Sequence, residues 1–175
     1  MKEITFSIIK ANLYGLLISL IIILPVIFLF SHLNGLELKF LELTESKIIF
    51  LVLGSLLSIA LHELLHALFF LIFSRGKFKS VKIGFIKQYL TPYAHCSEPL
   101  LKVEYAIVLI APLFFLGIIP IVVAFYLKDI LVLFYSLIMI SAASVDVLLL
   151  FCLLKIPNHK KILDHEDKAG FWIMN

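Results

Sequence analysis

The chain has 175 residues, 62% of them hydrophobic, with a mean hydropathy of +1.11. Soluble domains are roughly 45–50% apolar, so an ordinary soluble globular protein is excluded and a single integral membrane domain over residues 1–175 is expected. The formal charge of +3 calls for no nucleic-acid partner, since basic loop residues of a membrane protein mainly set its orientation; Cys96 and Cys152, one in a loop and one in an apolar run, make no disulfide framework.

Four apolar runs are long enough to cross about 30 Å of hydrocarbon as helices. They cover roughly residues 11–30, 48–73, 105–127 and 130–154. The fold class expected is therefore an all-α membrane protein of four transmembrane helices. Lys2 and Lys10 precede the first run as they would in a signal peptide. Its apolar core exceeds the usual 7–15 residues or so, and no A-x-A site follows, so a retained span is expected, bent at Pro25. The loop after it, Ser31 to Lys47, sets Glu37, Glu42 and Glu45 against Lys39 and Lys47. By contrast, Arg75, Lys77, Lys79, Lys82, Lys87 and Lys102 follow the second run, and Lys155, Lys160, Lys161 and Lys168 follow the fourth. An excess of Lys and Arg marks the cytoplasmic side. Both termini and the 74–102 loop are thus expected in the cytoplasm, with residues 31–47 and the Lys128-Asp129 turn outside, in a cell membrane crossed four times.

The second run contains Leu61-His62-Glu63-Leu64-Leu65-His66, an H-E-x-x-H pattern. Residues four apart share one helix face, so His62 and His66 can offer two imidazole nitrogens to one zinc ion. Glu63 sits beside them as the candidate general base. A charge at the centre of a bilayer-spanning helix costs roughly 2.5–3.5 kcal/mol, and coordination of a metal offsets such a cost. A packing role for these polar groups would explain neither the spacing nor the glutamate.

Depth extends the set. In the orientation above, His66 and Asp146 both lie about 10–12 Å inside the cytoplasmic ends of their runs. The first and third runs hold no Asp, Glu, His, Lys or Arg; His62, Glu63, His66 and Asp146 are the only such groups in the four spans. Buried charges pair with one another or bind metals, so one shared site is expected, with Asp146 as third ligand. Small residues would permit close helix approach there: Gly54 and Ser58 on the second helix, Ser141 to Ser144 on the fourth. Pro112 and Pro120 are expected to kink the third helix and free backbone carbonyls near the site.

The second cytoplasmic segment alternates Val81, Ile83 and Phe85 with polar or small residues, which predicts a strand. Thr91-Pro92 reads as a turn and Tyr93 to Cys96 as a returning strand, a short β-hairpin between helices 2 and 3. Its edge could hold an extended substrate, or it could simply join two spans. His95, Cys96 and Glu98 are rival candidates for the third ligand position. In the tail, Asp164 to Trp172 reads as a solvated turn around His165, with a catalytic role for His165 as the alternative, and Phe171 and Trp172 are expected at headgroup level.

H-E-L-L-H in an apolar helix with a later intramembrane Asp resembles the site-2-protease group of intramembrane metalloproteases. More closely, the chain resembles the bacterial family of four-span zincin peptidases. That likeness runs through His62 to His66, Pro92-Tyr93-Ala94-His95-Cys96, Ala111-Pro112, Asp146, Lys155-Ile156-Pro157, Asp164-His165 and Gly170-Phe171. The resemblance implies His62, His66 and Asp146 as zinc ligands and Glu63 as base. One departure stands out: the site-2 group usually has Gly after its Asp, whereas Val147 follows Asp146 here. The function expected is a zinc metalloprotease cutting a membrane protein or peptide within the bilayer, near the cytoplasmic face. A metal or proton-linked transporter and a catalytically silent scaffold with a structural metal are the readings from other classes. Another divalent ion remains an alternative to zinc, and the sequence leaves substrate and oligomeric state open.

Overall fold

The computed structural model describes residues 1–34, 44–86, 91–166 and 168–174. Glu37, Lys39, Glu42, Lys87 and Asp167 lie outside the described residues. Strand β1 (Lys2–Phe6) leads into helix α1 (Ile8–Asn34), whose N-terminus is capped by Ser7, its Oγ accepting from the Lys10 N–H at 3.4 Å. Helix α2 spans Glu45–Phe73, so part of the expected 31–47 loop is helical. The hairpin follows as β2 (Val81–Ile86) and β3 (Thr91–Cys96).

Thr91-Pro92 is not the turn. It opens β3, with Pro92 opposite Phe85 and Ala94 opposite Ile83. Ala94 turns its N–H away from β2, and Pro92, two residues earlier, has the same orientation. The missing proline N–H therefore falls on the open edge and costs the ladder nothing.

A short strand β4 (Leu100–Leu101) precedes α3 (Lys102–Pro112), a π-helical segment (Leu113–Ile118) and α4 (Ile119–Leu127). Together they form a 26-residue apolar rod. Pro112 removes the N–H that would bond the Val108 carbonyl. The next N–H, of Leu113, goes to the Ile110 oxygen instead.

The expected fourth span is broken. Helices α5 (Ile130–Ala142) and α6 (Ser144–Leu154) meet at 50°. Serine hydroxyls flank the break: Ser141 Oγ donates to the Leu137 oxygen at 3.0 Å and Ser144 Oγ to the Ser141 oxygen at 2.7 Å. Such back-bonding to the preceding turn bends helices. Helix α5 itself starts cleanly, with Asp129 Oδ1 accepting from the Leu131 and Val132 N–H groups.

The tail is more than a solvated turn: the chain does turn after Asp164, with Glu166 and Lys168 exposed, but strands flank the turn. These are β5 (Lys161–Asp164) and β6 (Ala169–Met174), which join β1 and β4 in an antiparallel sheet of order β1-β6-β5-β4. Phe171 is fully buried there rather than at a surface, and Trp172 stacks on His165. Sequence patterning misses this sheet because its strands are short and come from three separated parts of the chain.

Both sheets sit at one end of the bundle, where α1 and α3 begin and α2 and α6 end. The main core lies at that end and joins Phe70, Tyr105, Val108, Leu149, Ile162 and Phe171. A second, smaller core of Phe30, Ala124, Leu133 and Leu137 lies toward the other end. Among the described residues, three helices are long and apolar enough to cross a membrane, or four if α5 and α6 count as one span. They turn apolar side chains outward: Ile21, Phe28, Phe50 and Leu57 are all more than 60% exposed.

Candidate metal centre

Helix α2 presents His62 and His66 on its inner face, both buried. Ser55 and Ser58 are buried on the same helix, whereas a side chain at Gly54 would meet nothing within 4 Å, so the small-residue ridge expected there does not include it. The bend after α5 places Asp146 in the first turn of α6, where the helix dipole favours a carboxylate. Gly15 of α1 makes this possible by close approach; a Cβ there would stand 2.7 Å from Ser144 Oγ.

These elements bring His62, His66 and Asp146 together as the one cluster of metal-binding side chains among the described residues. Asp146 Oδ2 is 3.2 Å from His62 Nε2 and 3.5 Å from His66 Nε2, and the two nitrogens are 3.1 Å apart. A tetrahedral zinc site with bonds of 2.0–2.1 Å has donor–donor edges of about 3.3–3.4 Å. The three observed separations bracket that value. Two imidazole nitrogens and a carboxylate oxygen also form a donor set that suits zinc. The residues fit the ion.

His66 is aimed from behind. Its Nδ1 donates to the Val108 carbonyl at 3.0 Å, which leaves the lone pair on Nε2, facing the cluster. Val108 is the carbonyl that Pro112 deprives of its helical partner. The expectation that a proline would free a carbonyl near the site is met at this residue, though the chain answers with a π-helical segment rather than a broken helix.

Glu63 lines the same cavity, and its Oε2 accepts from the Ala94 N–H of β3 at 2.9 Å. The rival ligands are occupied elsewhere. Glu98 Oε2 accepts from the Arg75 and Gly76 N–H groups at 2.8 and 3.0 Å, closing the turn after α2. Cys96 is fully buried and its Sγ donates to the Glu98 oxygen; burial pushes its thiol pKa up, as for a packed neutral thiol. His95 is buried too, and its Nδ1 lies 2.8 Å from Asp164 Oδ2. Tyr105 donates its hydroxyl proton to Asp164 Oδ1 at 2.7 Å. Pattern reading named Asp164 only as part of the tail and did not single out Tyr105 at all.

The cavity that joins these groups has a volume of about 320 Å³ and is lined by His62, Glu63, His66, Asp146, His95 and Asp164, among others. A larger hollow of about 620 Å³, between Lys2, Phe151, Lys155 and Ile173, contains no such cluster.

No curated protein and no solved structure matches this chain. A family described as "Putative zincin peptidase" does match, over residues 55–160, a stretch that takes in His62, Glu63, His66, Val108 and Asp146. That family implies metallopeptidase activity and zinc as the metal. With more than half of its length matched, the chain belongs to this zincin peptidase family.

Proposed function

We propose that this protein is an intramembrane zinc metalloprotease that hydrolyses a peptide bond of a membrane protein or membrane-associated peptide near the cytoplasmic face. One observation carries the reading: His62, His66 and Asp146 converge to within hydrogen-bonding distance while Glu63 of the same helix lines the same cavity.

The membrane placement is supported by the outward apolar faces of the long helices, a surface that lipid covers without cost. α5 and α6 then serve as one bent span. The basic segments around β2, β3 and the tail support a cytoplasmic position for the sheet end, both termini and the cavity.

His62, His66 and Asp146 would hold the zinc ion. Bound there, zinc supplies Lewis acidity, which polarises a carbonyl and makes a water acidic near neutral pH. Glu63 takes one proton from the attacking water as its oxygen bonds the carbonyl carbon. Glu63 then passes that proton to the amide nitrogen, and the C–N bond breaks as the carbonyl re-forms. The remaining water proton moves from the new carboxylic acid to the amine, so the products are a carboxylate and an ammonium. Among the described residues strand β3 pairs with β2 alone, and its other edge faces Glu63 through the Ala94 N–H. An extended substrate laid along that edge would bring its backbone to the base.

Glu63→Ala tests the reading. The purified variant should keep its zinc and lose hydrolysis of a substrate that the wild type cuts, by at least about 10²-fold, the usual scale of a lost general base. Full hydrolysis by Glu63→Ala would rule out this mechanism.

A further inference from the structure

Deep in the cavity stands a second group of polar side chains that the mechanism above does not use. Tyr105 of α3, Asp164 of β5 and His95 of β3 form a chain of short hydrogen bonds, 2.7 Å from tyrosine to carboxylate and 2.8 Å from carboxylate to imidazole. Tyr105 is 1% exposed and His95 6%. Their burial makes the chain costly unless every member is satisfied, and Asp164 satisfies both neighbours with separate oxygens. His95 Nδ1 is committed to Asp164. Its other nitrogen, Nε2, bonds no described residue, and the ring lines the cavity that holds the metal ligands and Glu63. His95 also directly follows Ala94, whose N–H holds Glu63. One strand thus places the base's backbone anchor and this imidazole side by side.

We propose that His95 is a further catalytic residue of the peptidase reaction: as an imidazolium paired with Asp164, it donates a hydrogen bond from Nε2 to the substrate carbonyl oxygen as negative charge builds there. Asp164 and Tyr105 are positioning residues that act through it. The inference rests on the proposed peptidase activity. When the water oxygen bonds the carbonyl carbon, the carbonyl π pair moves onto oxygen, and that oxygen needs a donor fixed in advance. The proton stays on His95 throughout; it is shared with the oxyanion and released back when the C–N bond breaks and the carbonyl re-forms. An aspartate behind the imidazole fixes its ring orientation, and the tyrosine fixes the aspartate.

The experiment uses full-length protein in detergent, an internally quenched library of apolar nonapeptides, a phosphinate analogue of the best-cut member and its hydroxamate. Wild type, His95→Gln, His95→Ala, Asp164→Asn and Tyr105→Phe are compared for zinc content, kcat, KM and both inhibition constants. The His95 variants should keep one zinc per chain, lose about 10²–10³-fold in kcat and hold KM within about twofold. Asp164→Asn should follow in kcat, and Tyr105→Phe by a smaller factor. Affinity for the phosphinate, which carries the tetrahedral oxyanion, should fall in parallel with kcat, while hydroxamate affinity holds. Wild-type kcat in both His95 variants overturns the inference and leaves the peptidase reading standing. Loss of zinc from them also overturns it, because His95 would then be a ligand. A wild type that cuts no library member overturns the peptidase reading and this inference with it. Tyr105→Phe keeps the test alive if the His95 variants do not fold, since unchanged phosphinate affinity there counts against the chain.

Discussion

Two clusters of histidine and carboxylate line one cavity, and they are built differently. In the first, Nε2 of His62, Nε2 of His66 and Oδ2 of Asp146 all point at a common centre, with separations of 3.1 to 3.5 Å. Lone pairs that converge this way need a cation between them. In the second, Tyr105 and His95 each bond a separate oxygen of Asp164, and no lone pairs face one another. The same residue types therefore make a cage in one place and a relay of oriented dipoles in the other. What separates them is whether the imidazole's second nitrogen faces another lone pair or stands open to the cavity.

The sharpest way to break this comparison is to make the same change in both clusters. Asp146→Asn should abolish tight zinc binding, with a loss larger than the roughly 10–100-fold that follows removal of an outer partner. Asp164→Asn should leave the zinc stoichiometry at the wild-type value. Metal analysis of the two purified variants decides it; zinc lost equally from both would merge the clusters into one site.

The first cluster was legible in the sequence and the second was not, for physical reasons. H-E-x-x-H fixes two ligands on one helix face by spacing alone, and Asp146 could be joined to them because charges are rare in apolar runs and depth can be counted along a helix. His95, Asp164 and Tyr105 lie in a strand, a strand and a helix start, where polar residues are common and no period ties them together. The β4–β5 pairing, with Leu100 opposite Ile162, anchors the tail beside the hairpin, where Lys82 of β2 also meets Glu166. Missing the four-stranded sheet therefore meant missing the second cluster. The break at Ala143 went unread for a related reason: apolar composition is continuous across it, and only the serine hydroxyls mark it.

A smaller effect tests the outer support of the cage. Pro112→Ala restores the N–H that can compete for the Val108 carbonyl. Helix α3 should gain stability, by up to about 3 kcal/mol for a proline removed from a helix interior. Zinc affinity should nevertheless fall by roughly tenfold, because His66 Nδ1 loses an exclusive acceptor. Thermal unfolding and chelator competition on the same sample would show opposite signs. Unchanged zinc affinity would mean that Val108 does not orient His66.

The second cluster hangs on the sheet, so a lesion in the sheet should reach it and spare the cage. Gly170 in β6 has φ +155°, and a Cβ there would collide with the Ile4 oxygen of β1. Gly170→Ala must push the two strands apart, at a cost on the order of 1–3 kcal/mol. Its neighbour Phe171 pairs with Asp164 across β5 and β6. The variant should unfold at lower temperature and keep its zinc when folded; zinc lost below the unfolding transition would tie the cage to the sheet as well.

The smallest effect lies at the edge of that sheet and depends on pH. Glu3 of β1 accepts from Lys168 Nζ at 3.1 Å and sits 3.4 Å from His165 Nε2. The hydrogen bond from Lys168, then that from Thr5, hold its carboxyl below the ordinary glutamate range. In the unfolded chain Glu3 binds its proton at higher pH than in the folded one. Its contribution to stability is therefore fully present above the ordinary glutamate range and is lost as pH falls through the depressed folded value. Because the pair is exposed, salt should weaken it further. Glu3→Gln should lower the unfolding temperature slightly at pH 7 and by less and less as pH falls below the ordinary glutamate range, and high salt should shrink the pH 7 difference. A gap between variant and wild type that stays constant from pH 7 to pH 3 would show that the side chain packs β1 rather than pairing it, and the link from the N-terminus to the loop after Asp164 would then be steric.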